Sequence, residues 1–158
     1  MKKTVQIEES EARIMYKTAS PEFKQMLETT FGKEFFSAKI TDRIKTYEDA
    51  CAEIGEMPLD EKALKAIGFT DDEINYRKLK TIGKALNEGW VPDWTNTSES
   101  KWQPYFKLSS GAFVFDGTCY NCSYAYAGYG SRLCFKTRVL AKYAGEQFLD
   151  IWTVIIQK

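Results

Sequence analysis

WVPDWTNTSESKWQPYFKLSSGAFVFDGTCYNCSYAYAGYGSRLCF, residues Trp90 to Phe135, is the stretch that decides the fold class. It holds three of the chain's four tryptophans, five of its nine tyrosines and three of its four cysteines. Its only charged residues are Asp93, Glu99, Lys101, Lys107, Asp116 and Arg132. An aromatic-rich, charge-poor stretch punctuated by Gly and Ser reads as strands and loops. Trp102 to Leu108 suits a strand, with Pro104 near its start or on an edge. Ser109, Ser110 and Gly111 make a turn. Phe113-Val114-Phe115 and Thr118-Cys119-Tyr120 flank Asp116-Gly117, the pattern of a two-residue type I′ hairpin. In that register Phe115 faces Thr118 and Phe113 faces Tyr120, so Phe113, Phe115 and Tyr120 share a core-facing side. Tyr124 and Tyr126 then alternate with Ala125 and Ala127. Tyr129 sits in a glycine loop, and Arg132 to Phe135 reads as one more strand.

Helical patterns lie on both sides. Glu8 to Lys17 places Ala12, Met15 and Tyr16 on one apolar face, after a strand or arm over residues 4–8. Ser20 caps the next helix and Pro21 opens it; Phe23, Met26, Leu27 and Phe31 form its stripe, and Gly32 stops it. Phe35, Phe36 and Ile40 follow in a connector that must bury them. Thr46 begins a helix with Tyr47, Ala50, Cys51 and Ile54 inward and Gly55 at its end. Met57 to Leu59 is a turn, and residues 60–68 suit a short helix. Thr70 to Glu73 is a capping box for the longest helix, which directs Ile74, Leu79, Ile82 and Leu86 inward and stops at Gly89. After the aromatic stretch, Thr137 caps a last helix carrying Leu140, Tyr143, Ala144, Phe148, Ile151, Trp152 and Ile155. Gly145 interrupts that helix, and Thr153 to Ile156 also suits a terminal strand. The sum is an α+β fold: N-terminal helices, an antiparallel hairpin or meander sheet, and a C-terminal helix packed on it. The charged connector 39–49 divides residues 1–45, an N-terminal helical segment, from residues 46–158, the α+β domain.

Composition excludes more than it assigns. The 158 residues contain 22 Lys plus Arg, 22 Asp plus Glu and no histidine. Zero net charge gives no bulk attraction to nucleic acid or to an anionic membrane. Without histidine, every His-based triad and the commonest metal ligand are gone. The start has lysines but no apolar run behind them, which is not the pattern of a secretory signal. No run is long and apolar enough for a membrane span. Four cysteines in such a chain suit reduced thiols.

Four constellations are candidates for function. Cys119 and Cys122 form a C-x-x-C with Cys134 further on, a weak zinc pattern that Cys51 would complete. On a hairpin strand Cys119 and Cys122 point to opposite faces, so ordinary packing is the expectation and no metal or cofactor is assigned. Arg77, Lys80 and Lys84 lie at i, i+3 and i+7 on one helix face, either a phosphate-contacting stripe or a solvated face where Glu73 pairs with Arg77. The loop from Gly128 to Arg132 resembles an anion-holding turn or a plain strand connection. Finally, Trp94, Trp102, Tyr105, Tyr124, Tyr126 and Tyr129 exceed what one sheet face needs. They either reach the surface, as at protein interfaces and base-stacking platforms, or pack under the terminal helix.

Four stretches carry a resemblance: EARIMYKTASPEFKQMLETTFGKEFFS, KTYEDACAEIG, KALNEGWVPDW and GSRLCFKTRVLAKYAGEQF. Through them the chain resembles uncharacterised proteins encoded by phages and integrated elements of gut Bacteroidetes. The resemblance implies a mobile-element origin and a place in a bacterial cytoplasm or a virion. It implies no catalytic residue. The expected function is non-catalytic: an interaction protein binding a host or phage protein, or itself, through the aromatic sheet, with binding residues Tyr124, Tyr126, Tyr129, Arg132, Trp94, Trp102 and Tyr105. The alternative is a nucleic-acid or nucleotide binder in which tyrosines stack on bases and Arg77, Lys80, Lys84, Lys107 and Arg132 meet phosphates.

Overall fold

A computed structural model describes residues 6–124 and 133–157 of the chain. Among these residues the order is α1 (Glu9–Thr18), α2 (Pro21–Phe31), α3 (Lys33–Ser37), α4 (Ile40–Arg43), α5 (Tyr47–Ile54), α6 (Glu61–Ala66), α7 (Asp71–Leu86), β1 (Lys101–Ser109), β2 (Ala112–Asn121), α8 (Arg138–Gln147) and α9 (Leu149–Gln157). The fold is α+β: N-terminal helices, a two-stranded antiparallel hairpin, and C-terminal helices that contact it.

Local chemistry sets the helix ends. Ser20 Oγ accepts from Phe23 N, and Pro21 stands at the first turn of α2. Thr46 and Asp49 make a reciprocal capping box on α5. Thr137 caps α8 by accepting from Leu140 N. Each cap satisfies an amide that the helix itself leaves unpaired. The longest helix, α7, ends at Leu86 with Asn87 as its C-cap, two residues before the expected stop at Gly89. The C-terminal helical pattern divides at Phe148 into α8 and α9, and the alternative strand at Thr153 to Ile156 is helical instead. Both Phe148 and Trp152 are buried at this break.

The core joins α5, α7, α8, α9 and residues 133–135. Ile44, Tyr47, Cys51, Leu79, Ile82, Leu86, Phe135, Phe148 and Trp152 form one buried cluster. The first three helices carry an aromatic cluster of their own, with Tyr16 stacked on Phe36 at 4.1 Å and Phe35 edge-on to Phe36 at 4.8 Å. Met15 and Met26, expected inside, are exposed. The aromatic rings of the first three helices supply the apolar contact instead, and flexible methionines tolerate the outer position.

The hairpin departs from expectation in an informative way. Its turn is Ser110-Gly111, between the paired Ser109 and Ala112. Ser110 has φ 50° and Gly111 has φ 83°, the two positive values that a type I′ turn requires. Asp116-Gly117 is not a turn. It lies within β2, where the register slips between Tyr105 and Phe106 and leaves Asp116 as the extra residue of a β-bulge. The bulge reverses the in–out alternation, so Phe113, Phe115 and Tyr120 still share a face, opposite Leu108, Phe106 and Trp102. Phe106 reaches Trp152, with ring centroids 5.6 Å apart. Tyr120 is not core: it lies at the edge of that face, 54% exposed, against the Trp102 ring. The expected strand from Arg132 to Phe135 reduces, in its described part, to one bridge. Trp102 and Phe135 exchange two backbone hydrogen bonds of 3.0 and 2.7 Å.

Candidate functional site

The aromatic surface does not come together as one platform. Cross-strand partners share a face and neighbours along a strand alternate. Trp102 therefore lies on the helix-facing side with Tyr120, whereas Tyr105 lies on the other side, opposite Gly117. Trp94 is half-buried over the ammonium of Lys101, 5.2 Å from ring centre to Nζ. Tyr124 is exposed. Tyr126, Tyr129 and Arg132 lie outside the described residues. Lys107 stands on the hairpin with Asp116 at 2.6 Å; hydrogen bonding to that carboxylate, then its charge, raises the Lys107 pKa.

The basic residues of α7 do come together. The helix begins with Thr70 N and Thr70 Oγ1 donating to Glu73 Oε2 at 2.8 and 3.0 Å. Glu73 is thus turned back to the cap rather than forward to Arg77, because the unpaired amide at the helix start binds a carboxylate strongly. The Arg77 guanidinium instead lies over the Phe69 ring at 4.6 Å. Arg77, Lys80 and Lys84 then line one groove of 490 Å³ with Glu56, Leu59, Thr81, Asn87, Trp90, Val91 and Pro92, and Cys134 at its back. A second hollow of 300 Å³, lined by Phe69, Glu73, Tyr76, Arg77 and Lys80, shares Arg77 and Lys80 with the first.

The part of the groove lined by Trp90, Val91 and Pro92 follows a reversal that periodicity does not announce. Glu88 and Gly89 both have positive φ, 48° and 85°, and turn the chain back after α7. Trp90 N then donates to Asn87 O at 2.9 Å. The indole is fixed by Trp90 Nε1 donating to Glu99 Oε1 at 3.1 Å, while Asp93 N donates to Glu99 Oε2 at 2.8 Å. The Asp93 amide first, opposed by burial, and then the Trp90 indole and Lys101 hold the Glu99 carboxyl below its ordinary range. Asn87 joins the groove to the core: its Nδ2 donates to Cys134 O at 2.9 Å and its Oδ1 accepts from Lys136 N at 2.9 Å.

Charge in the groove is unevenly committed. Lys84 pairs with Glu56 at 2.6 Å. Lys80 is exposed, and among the described residues no carboxylate is placed within ion-pair distance of it. With three cations and one carboxylate, the walls carry an excess of two positive charges. Trp90, which lines the groove, and Glu99 and Lys101, which hold its loop, are residues that the sequence pattern does not mark. Lys101, fully buried, donates to Asn96 O at 2.9 Å and Cys122 O at 3.3 Å and stands 3.4 Å from Glu99.

The cysteines are dispersed in environment. Cys51 is in the core, Cys119 is exposed on β2, Cys122 is half-buried beside Ser100, and Cys134 is buried. Burial pushes the Cys134 thiol up to about 11. Among the described residues no group of three His, Cys, Asp or Glu is placed to hold a metal ion. No described helix is long and apolar enough to cross a membrane.

Comparisons with protein-family models, with curated proteins and with solved structures find no match to this chain.

Proposed function

We propose that the protein is a non-catalytic binding protein whose α7 groove receives the phosphates of a nucleotide or nucleic acid. One observation carries this reading: Arg77, Lys80 and Lys84 line a single 490 Å³ groove together with a tryptophan fixed by a hydrogen bond. That volume is ordinary for a ligand site. The guanidinium of Arg77 and the ammonium groups of Lys80 and Lys84 supply charge-assisted donors for phosphate oxygens. Trp90 supplies an apolar face already held in place. A phage or integrated-element origin, with a bacterial cytoplasmic or virion location, belongs to the same proposal and rests on the four stretches quoted above.

The test is titration of a labelled oligonucleotide across a salt series. Two to three phosphate contacts give a slope of log K against log salt of about −1.4 to −2.1 for a single strand. Lys80→Glu should weaken binding at least tenfold and leave the melting temperature unchanged, since Lys80 is exposed. An absent or salt-independent interaction at low salt sinks the reading.

A second reading places a protein partner, or a second copy, on the hairpin. It is favoured by exposed Tyr105, Leu108, Tyr120 and Tyr124. These residues are divided between the two faces of the hairpin and its end, which is why the groove is preferred. A doubled mass in light scattering that Tyr120→Ser with Tyr124→Ser abolishes, oligonucleotide binding being absent, would move the function there.

A further inference from the structure

Resting on the reading of the α7 groove as a phosphate site, we propose that its ligand is single-stranded nucleic acid held as two consecutive nucleotides. One base lies in the groove against Trp90. The next lies in the adjoining hollow against the Arg77–Phe69 stack, and the phosphate that links them meets Arg77 and Lys80.

The geometry that points to this is the sharing of two cations by two hollows. Arg77 and Lys80 line both the 490 Å³ groove and the 300 Å³ hollow. They are one turn apart on α7, so their side chains leave the helix side by side. A ridge of positive charge with a concave, aromatic-lined space on each side repeats the order of a nucleic-acid strand: base, phosphate, base. A mononucleotide fills one space and leaves the other empty. An extended acidic peptide satisfies the ridge but brings no planar groups to the hollows.

The strand must be single. Duplex DNA presents base edges in its grooves while the base faces are stacked inside. The surfaces offered here are ring and guanidinium faces, which single-stranded bases cover by stacking. Both stacking surfaces are set before the ligand arrives. The Trp90 indole is held by Glu99, and the Arg77 guanidinium lies on Phe69. Readout of base identity is weak, because the Asn87 amide on the groove wall is engaged through both nitrogen and oxygen. Stacking is tolerant of sequence for the same reason that any base has a π face.

The test uses the full chain and five probes at one low salt concentration: tripolyphosphate, thymidine monophosphate, 5′-phosphorylated dithymidylate, a short duplex and hexaglutamate. The expected result is that dithymidylate binds at least tenfold tighter than the monophosphate and tighter than the duplex and the peptide. Trp90→Leu and Phe69→Leu should each remove most of that tenfold gain while tripolyphosphate affinity stays within about twofold. Retained tripolyphosphate binding shows that each variant is folded, and Phe69→Leu stands independently if Trp90→Leu does not fold. Tripolyphosphate binding without a gain from mono- to dinucleotide overturns the two-base proposal and leaves the phosphate reading in place. A duplex binding more tightly than dithymidylate also overturns the two-base proposal, and hexaglutamate binding more tightly than every phosphate probe removes the phosphate reading with it. Failure of every phosphate probe removes both.

Discussion

Glu99 decides whether Trp90 is a wall of the groove or a free side chain. Its two oxygens accept from the Trp90 indole and the Asp93 amide. Those bonds exist for the carboxylate, so they hold its folded pKa below the ordinary glutamate value. The linkage has a definite sign. With the folded value depressed, the stabilisation is fully present above the unfolded value of about 4.3 and is lost as pH falls through the lower folded value. Tryptophan emission should therefore change reversibly on acidification with a midpoint below about 4.3, and Trp90→Phe should remove the change. Asp93 titrates in the same loop, held low first by the Thr95 hydroxyl, so the deciding arm is Glu99→Gln. An identical midpoint in that variant would show that the clasp does not run through Glu99. Lys101 belongs to the same loop and shows a limit of sequence reading. Lysine is rarely buried without partners, and the partners here are two carbonyls, a carboxylate and an indole from segments on either side of it. Nothing adjacent to Lys101 in the sequence announces that cage.

The hairpin and α8 are coupled through one missing side chain. A Cβ built on Gly145 would lie 2.6 Å from Phe115 Cδ2 and 2.7 Å from Pro104 Cβ. The glycine that interrupts the helical pattern is therefore where the sheet meets the helix. Gly145→Ala gains about 1 kcal/mol of helix propensity. It also forces a methyl group against a rigid proline ring and a packed phenyl ring, an overpacking cost of about 1–3 kcal/mol. The net expectation is a loss of about 1 kcal/mol and a melting temperature lower by about 2–4 °C. A higher melting temperature would mean that the hairpin and α8 are not in that contact. The same hairpin explains why its turn is misread from sequence. A two-residue turn and a one-residue bulge both reverse the alternation, so Phe113, Phe115 and Tyr120 share a face either way. Asp-Gly cannot distinguish them. Residues 101–109 do, because that strand needs a partner of its own length, and only a turn at Ser110-Gly111 supplies one. Helix positions were easier to read: caps and apolar spacing give α2, α5 and α7, and with α7 comes the Arg77, Lys80 and Lys84 face. Trp90 is not legible as a lining residue of the same groove, because its place depends on two positive φ angles at Glu88 and Gly89 rather than on any periodicity.

At the scale of the molecule, residues 38–45 are where the two ends of the chain meet. From the C-terminal side, Tyr143 Oη donates to Ile44 O at 2.6 Å and Gln147 Nε2 donates to Lys45 O at 2.8 Å. Ile40 and Ile44 enter the core cluster. From the N-terminal side, Glu53 on α5 accepts from Arg43 Nη2 at 2.9 Å and stands 3.6 Å from Lys17 of α1. Arg43 donates also to Ala38 O and reaches Glu88, just past α7. The Glu53 side chain is 5% exposed and the Arg43 side chain 13%, so neither charge is well solvated if its partner is removed. Breaking such a pair from one side costs about 3–5 kcal/mol, whereas replacing both members by apolar side chains is often nearly neutral. Glu88 offers Arg43 a second carboxylate, which places Glu53→Ala near the lower end, about 3 kcal/mol. Lys17→Ala should cost no more than about 1 kcal/mol, because its ammonium remains half exposed. Equilibrium urea unfolding of Glu53→Ala, Lys17→Ala and the double variant Arg43→Met with Glu53→Met separates charge from packing. The expected result is the largest loss for Glu53→Ala, with the double variant and Lys17→Ala each losing no more than about 1 kcal/mol. A double variant as unstable as Glu53→Ala would show that the loss comes from packing at this site rather than from an unpaired buried charge.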